Sequence, residues 1–288
     1  MKNSLLTNRQ KQEIEKLIKE EKLSEVISIL EKIKTQHAGT AKTQDKRYVI
    51  KYIVKNISEN SADQEKDFFN TAIFFCKRKE DVAKEIGISL IWKAYNYNPE
   101  EVKAYLIKIA NDPNWEVREY AGNAFANINL HNKDIYKTML KWTKHPSENV
   151  RRAVVFSTLG LRKKETLSKA FSILERLMSD SSNYVKKNLG PFILGSYFGN
   201  KFPAETLMEL RKWSKLKDVN VRWNVIMAFN NSFGNNHPEK ALSILKYFTS
   251  EVDPGLKRAL GSTLRILSKH HPKSVDKFKL KHMVHAPK

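Results

Sequence analysis

One position of a repeated fragment carries a carboxylate where its other copies carry cations or an aromatic ring. Glu119 stands two residues after a valine of this fragment, and the same place in other copies holds Arg152, Lys187, Trp223 and Arg258. A carboxylate in such surroundings could stabilise positive charge that develops on a sugar when its bond to a base breaks. Trp115 lies one helical turn before Glu119, so its indole could offer a flat face to a nucleotide. The alternative is structural, with Glu119 in a salt bridge to a neighbour such as Arg152.

Basic residues recur directly after each repeated valine or leucine. They are Arg118, Arg151, Arg152, Lys186, Lys187, Arg222, Lys257 and Arg258. This recurrence predicts a basic stripe that binds the phosphates of DNA, with Trp223 on the same surface. For the first basic residue of each pair, the alternative is a structural bond between neighbouring turns through an aspartate such as Asp112, Asp180 or Asp218.

The overall charge favours the same kind of partner. The chain has 52 Lys and Arg against 31 Asp and Glu, which gives a formal net charge of +21. Each phosphate neutralised by a cation releases counterions, so this excess favours a polyanionic partner and salt-sensitive binding. The competing interpretation is a solvated basic surface from a lysine-rich proteome.

A sequence repeat predicts the helices that carry these residues. Its apolar anchors Val117, Val150, Val185, Val221 and Leu256 are separated by 33, 35, 36 and 35 residues, and fainter copies occur at Val82 and Val49. A second marker is proline, which is favoured in the first turn of a helix. Pro99, Pro203, Pro238 and Pro272 each precede an amphipathic run. A fixed period of this length is typical of stacked helical hairpins.

The predicted fold is therefore all-α, a HEAT-like repeat α-solenoid of about six to seven helical hairpins. The second helix of each hairpin, helix B, would line a concave surface and turn the basic stripe into a groove. We expect a single domain over 1–288, with an N-terminal helical cap at 1–45 and a basic C-terminal helix or tail at 272–288. That tail contains Lys273, Lys277, Lys279, Lys281 and Lys288. It would either contact phosphates or form the polar cap that a terminal repeat needs.

Composition disfavours several other classes of protein. The single cysteine, Cys76, excludes an internal disulfide framework. The N-terminal residues are charged rather than apolar, and no run approaches the roughly 18 apolar residues of a membrane span, which predicts a soluble cytoplasmic protein. His282 and His285 lack the cysteine or carboxylate neighbours of a metal site, so neither a metal nor a cofactor is expected. We expect the chain to act as a monomer.

The residues around Glu119 resemble a motif of the HEAT-like DNA alkylation repair glycosylases of the AlkD and AlkC type. In the AlkD type, a tryptophan precedes the catalytic aspartate by one helical turn, an arginine follows one repeat later before Ala-Ala-Ile, and a second tryptophan ends a Lys-Ala-Ile-Gly-Trp segment. This sequence has Trp115 and Glu119, then Arg152-Ala153-Val154-Val155, then Lys187-Asn188-Leu189-Gly190-Pro191. The resemblance covers roughly residues 80–260.

Two positions depart from that motif. Glu119 stands in place of the aspartate, a conservative change, and AlkC-type members are also thought to use a glutamate. Pro191 stands in place of the second stacking tryptophan and cannot form the same wall against DNA. Trp223, in the next hairpin, is the candidate substitute.

The resemblance implies excision of cationic alkylated purines, such as 3-methyladenine or 7-methylguanine, from duplex DNA without flipping the base into a pocket. Glu119 would stabilise the sugar, Trp115 would pack against the sugar of the lesion, and Arg152 with the basic stripe would hold the phosphates. A non-catalytic protein that recognises damaged, bent or branched nucleic acid is the alternative, and Pro191 favours it. A scaffold for acidic protein partners is the third interpretation.

Overall fold

All regular secondary structure in the computed structural model, which describes residues 4–283, is helical. The helices form two compact units, Met1–Trp142 with Leu159–Leu161, and Thr143–Thr158 with Arg162–Lys288. The predicted all-α fold of helical repeats is confirmed. The prediction of one domain over 1–288 stays a prediction.

Eight α-helices lie in the described part of the first unit. They are α1 (Asn8–Lys19), α2 (Leu23–Glu31), α3 (Thr43–Asn60), α4 (Gln64–Cys76), α5 (Asp81–Leu90), α6 (Pro99–Ala110), α7 (Trp115–His131) and α8 (Ile135–Trp142). A 3-10 turn, Ile91–Ala94, follows α5. Helix α4 packs on α5 and α6 packs on α7, while α5 also contacts α3 and α7. Helices α3, α5 and α7 are therefore neighbouring B helices.

The second unit continues the same alternation with nine α-helices in its described part. They are α9 (Glu148–Ser157), α10 (Leu167–Leu177), α11 (Asn183–Asn188), α12 (Pro203–Trp213), α13 (Val219–Ala228), α14 (Ser232–Asn236), α15 (Pro238–Leu245), α16 (Pro254–Ser268) and α17 (Pro272–His282). Short 3-10 turns occur at Lys164–Thr166 and Lys246–Phe248, and a π-helical segment at Leu189–Gly199. Another 3-10 turn, Thr158–Gly160, begins in this unit and ends in residues assigned to the first unit. The B helices α9, α11, α13 and α16 pack in chain order, with the π-helical segment extending α11 against α13.

The repeated anchors form the buried side of the B helices. Val49, Val82, Val117, Val150, Val185, Val221 and Leu256 lie in α3, α5, α7, α9, α11, α13 and α16, and none is more than 4 % exposed. Pro99, Pro203, Pro238 and Pro272 each begin an α-helix, as the sequence predicted. The repeated anchors therefore lie in the hydrophobic core of their own unit.

In five of the seven B helices, a polar residue three positions before the anchor caps the helix. Asn114, Ser147, Ser182, Asp218 and Asp253 accept hydrogen bonds from backbone N–H groups at the starts of α7, α9, α11, α13 and α16. These side chains satisfy donors that have no partner inside the helix. The caps fix the first turn of these five helices and so the position of the residues that follow.

The π-helical segment departs from the regular repeat. A Cβ atom at Gly195 would lie 2.4 Å from the carbonyl oxygen of Ala228, so the segment approaches α13 more closely than a larger residue allows. The carbonyl oxygen of Pro191 accepts hydrogen bonds from Asn231 Nδ2 at 2.9 Å and from Ser196 Oγ at 3.1 Å. These contacts hold the segment near its N-terminal end, at Pro191, where the motif described above has its second tryptophan.

Both ends of the chain contribute helices. Asp45, at the start of α3, accepts hydrogen bonds from Ser4 Oγ and from the backbone N–H groups of Leu5 and Leu6, which ties the N-terminal segment to α3. The predicted basic C-terminal segment is helical as α17, whereas its last residues, including His285 and Lys288, lie outside the described residues. Over the described range, every helix is too short or too polar to cross a membrane.

Candidate nucleic-acid interface

Trp115 and Glu119 lie one turn apart at the start of α7. Trp115 is the first residue of the helix and is 44 % exposed, and Glu119 is partly exposed. The cap residue Asn114 donates from Nδ2 to Asp81 Oδ2 at 2.8 Å and to the carbonyl oxygen of Ala38 at 3.0 Å. The ring of His37 meets the Trp115 indole edge-on, with centroids 5.2 Å apart. The α2–α3 loop therefore supports the exposed indole.

A buried polar cluster lies beneath this turn of α7. Lys46 Nζ donates hydrogen bonds to Glu85 Oε2 at 2.7 Å, to Glu116 Oε1 at 2.8 Å and to Thr40 Oγ1 at 2.8 Å. The ammonium lies 4.6 Å from the centre of the Tyr120 ring. The side chains of Lys46 and Glu85 are fully buried. Sequence reasoning missed this cluster because its members come from separate helices and follow no repeat position.

Two carboxylates share one ammonium in this cluster. Burial raises the pKa of Glu85 from 4.5 to about 7, and the charge of Glu116 adds to the rise while Lys46 opposes it. Burial acts to lower the pKa of Lys46, but its hydrogen bonds to Glu116 and Glu85 outweigh burial and raise it. Lys46 is thus charged at neutral pH, whereas Glu85 exchanges its proton near that pH.

The raised pKa of Glu85 makes the stability of the protein depend on pH. Between about pH 4.5 and about pH 7 the folded state binds more protons than the unfolded state, so the contribution of Glu85 to the free energy of unfolding falls as pH rises. We expect the difference in unfolding free energy between wild type and Glu85→Gln to fall by roughly 3 kcal/mol over this window. Urea unfolding at both pH values measures it. An equal difference at the two values would contradict the prediction.

The first basic residue after the anchor forms structural contacts in three repeats. Arg118 donates to the carbonyl oxygens of Asp112 and Pro113 at 2.7 and 2.9 Å. Arg151 donates to the equivalent carbonyls of His145 and Pro146 and pairs with Asp180, with Nε 2.6 Å from Oδ2. In a later repeat Arg222 donates to the carbonyl oxygen of Tyr247 and pairs with Glu251. These side chains hold the turns of the hairpins together.

The second basic residue after the anchor differs in its exposure from repeat to repeat. Arg152 is buried, at 3 % exposure, with its guanidinium 4.7 Å from the ring centre of Phe156 and 4.6 Å from that of Tyr184. Lys187 and Arg258 are exposed, as is Lys257. The exposed cations that follow the anchors of α11 and α16 are therefore available to a phosphate, whereas the charge of Arg152 lies between two rings.

Lys186 and Trp223 meet between neighbouring B helices of the second unit. Lys186 Nζ donates to Asn220 Oδ1 at 2.9 Å and lies 5.4 Å from the ring centre of Trp223. Trp223 is partly exposed. The two predicted interface residues thus form one cation–π pair.

Phe192 is an aromatic residue that sequence reasoning missed. It directly follows Pro191, is 46 % exposed, and its ring centroid lies 5.9 Å from that of Phe156. Phe192, Phe156, the guanidinium of Arg152 and Tyr184 therefore form a continuous row. The sequence signal that could have found it is the aromatic residue directly after Pro191. Counting positions with α-helical spacing leads to Pro191 and not to Phe192.

Other chemistry has little support in the described residues. Cys76 is buried, and burial raises the pKa of its thiol to about 12. Residues 4–283 contain no group of three or more His, Cys, Asp or Glu side chains that could hold a metal ion. The first unit carries the exposed indole of Trp115 and the carboxylate of Glu119, and the second unit carries the exposed Phe192, Lys187, Lys257 and Arg258.

Comparison with known proteins gives one family and several structural likenesses. A model of the DNA alkylation repair enzyme family matches residues 10–194. The X-ray structure of YibA from E. coli is 16 % identical, with coverage of 99 % of this chain and 100 % of that chain and a TM-score of 0.40. A designed armadillo repeat protein is 19 % identical over 74 % of this chain and 98 % of that chain, with a TM-score of 0.27. The search of curated proteins gave no match. The family match spans more than half of the sequence, and the chain belongs to the DNA alkylation repair enzyme family.

Proposed function

We propose that this DNA alkylation repair enzyme is a glycosylase that excises cationic alkylated purines, of the 3-methyladenine or 7-methylguanine type, from duplex DNA. The observation that carries the proposal is the pairing of an exposed indole, Trp115, with the carboxylate of Glu119 one turn later on α7. The enzyme would act as a monomer in the cytoplasm and use neither metal nor cofactor.

Excision of a cationic base requires little beyond a carboxylate near C1′ of the deoxyribose. In an N3- or N7-alkylated purine the base carries a positive charge, so the bond between C1′ and the base nitrogen breaks with both electrons moving to the base, which leaves as a neutral molecule. The deoxyribose becomes cationic at C1′, and water adds there and loses a proton. Glu119 would stabilise the cationic sugar and orient the water, and Trp115 would pack against the sugar. No general acid is needed.

The cations would divide into two groups. Lys187, Lys257 and Arg258 are exposed and would contact phosphates directly. Arg118, Arg151, Lys186 and Arg222 already bond to neighbouring backbone or side-chain groups, so they would add positive potential more than direct contacts. Arg152 would act from between Phe156 and Tyr184, where its guanidinium is held in one orientation.

Phe192 would supply the second aromatic wall in place of Pro191. A π-helical turn bonds residue i to i+5, so it takes in one residue more than an α-turn. A side chain expected at 191 from an α-helical count is then displaced to 192. The exposed ring of Phe192 and the neighbouring cations suit a base or a deoxyribose, because stacking and charge act together.

A substitution at Phe192 tests this assignment. Phe192→Ala should slow single-turnover base release about 10- to 100-fold, because base stacking contributes about 1–3 kcal/mol, and Phe192→Trp should retain activity. Met208→Ala, which removes another exposed apolar side chain of the second unit, is the matched control. An active Phe192→Ala combined with a large loss in Trp223→Ala would assign the second wall to Trp223 instead.

The experiment that tests the proposed function is release of free base from duplex DNA with a single 7-methylguanine or 3-methyladenine. Release above the spontaneous rate, in proportion to enzyme, supports a glycosylase. Tight, salt-sensitive binding with no release of either base would favour the second candidate, a non-catalytic protein that binds damaged DNA. The observation that favours that candidate is Pro191, which stands where the motif described above has its second stacking tryptophan.

A further inference from the structure

Lys46 contacts the row of α7 next to the row that carries Trp115 and Glu119. Its ammonium binds Glu116, the residue after Trp115, and lies under the ring of Tyr120, the residue after Glu119. Glu116 and Tyr120 are four residues apart, as are Trp115 and Glu119, so the two pairs form adjacent rows on one helix. A single buried charge thus contacts both residues that directly follow Trp115 and Glu119 in the chain.

The lysine is itself held from the opposite side. Glu85 on α5 and Thr40 in the α2–α3 loop accept hydrogen bonds from Lys46, and Thr40 Oγ1 lies 3.0 Å from Glu85 Oε2. The same loop supports Trp115 through His37. A buried ammonium with three oxygen partners from three elements has one low-energy position, because an unpaired charge there would be costly.

We propose that Lys46 is a positioning residue, and that together with Glu116 and Tyr120 it forms a clamp that sets the orientation of Trp115 and Glu119 toward the damaged nucleotide. The inference rests on the proposed function for its catalytic consequence, since a turn displaced by about 1 Å lowers the rate of a placed carboxylate by up to 100-fold. The clamp makes no contact with the substrate.

Glu116 is the member of the clamp best suited to substitution, because its side chain is partly exposed whereas Lys46 is fully buried. Glu116→Ala removes one oxygen partner of Lys46. Glu116→Gln keeps an oxygen that can accept the same hydrogen bond, so it serves as the conservative variant. Ile14→Val, a buried substitution on α1 of the same unit, controls for a general loss of stability of about 1 kcal/mol.

The first readout separates rate from binding. Single-turnover base release at saturating enzyme should fall about 10- to 100-fold in Glu116→Ala, with DNA affinity within about threefold of wild type. Glu116→Gln should recover most of the rate, and Ile14→Val should keep it. A Glu116→Ala rate equal to wild type, or an equal loss in Ile14→Val, would overturn the clamp while leaving the glycosylase assignment in place.

The second readout does not depend on activity. With 5-fluorotryptophan incorporated, the fluorine resonance of Trp115 is assigned by its disappearance in Trp115→Phe. It should shift in Glu116→Ala and stay near its wild-type position in Glu116→Gln and Ile14→Val. If wild type releases no base, the proposed function fails, and this spectrum still decides the clamp. An unshifted Trp115 resonance in Glu116→Ala would refute it.

Discussion

Glu119→Gln is expected to lower the rate of single-turnover base release from a 7-methylguanine duplex about 100- to 1000-fold. This is the range for the loss of one preorganised electrostatic group. The amide keeps the shape of the carboxylate but carries no charge, so it cannot offset the positive charge that develops at C1′. DNA affinity should be unchanged or slightly higher, because the variant removes a negative charge from a basic surface. Gel-resolved base release and fluorescence anisotropy measure the two quantities separately.

A matched variant isolates the position of the lost charge. Glu100→Gln makes the same change on α6 of the same unit, where the side chain is 85 % exposed, and it should retain wild-type base release. Spontaneous loss of the cationic base from uncatalysed DNA must be subtracted from both. If Glu119→Gln released base as fast as wild type, Glu119 would not be the catalytic carboxylate, even though the protein is a glycosylase.

The second large effect is the salt dependence of DNA binding. Replacing Lys187, Lys257 and Arg258 by glutamine should make the slope of log affinity against log salt less steep by about 3. Each phosphate contact contributes about 0.9 to the steepness of this slope, through the counterions that binding releases. At low salt the affinity for duplex DNA should fall roughly 100- to 1000-fold. Anisotropy titrations at four or five salt concentrations give both values.

A second triple variant separates specific phosphate contacts from net charge. Lys201, Arg211 and Lys240 are also exposed in the second unit, but none follows a B-helix anchor. Their replacement by glutamine removes the same three charges and should change the slope by less than about 1. Equal losses in the two triple variants would mean that net charge alone drives binding. No measurable affinity for duplex DNA in wild type would favour the scaffold for acidic proteins.

Local features of the fold could be predicted from the sequence. The spacing of Val117, Val150 and Val185 predicted a buried position on successive helices, and all three are buried. The prolines predicted helix starts because a proline nitrogen has no hydrogen to bond in a first turn. The spacing of Trp115 and Glu119 predicted that they share one face of a helix, because residues four positions apart are neighbours on a helix surface. The helix starts and the shared face depend on neighbours within a few residues, and the burial of the anchors follows from a period that repeats along the chain.

Contacts between distant segments could be found only in the tertiary structure. Lys46 meets Glu85 and Glu116, which are 39 and 70 residues away, and no local pattern links them. The burial of Arg152 depends on Tyr184 of the following B helix, and the exposure of Phe192 depends on the π-helical segment, whose extra residue per turn shifts the register. The sequence by itself determined the all-α repeat, the helix starts marked by proline and the buried side of the B helices, because proline geometry and hydrophobic periodicity can be read along the chain. The tertiary structure decided which charges are buried, which are exposed and what supports the α7 turn, because desolvation and ion pairing depend on every neighbour that packing brings together.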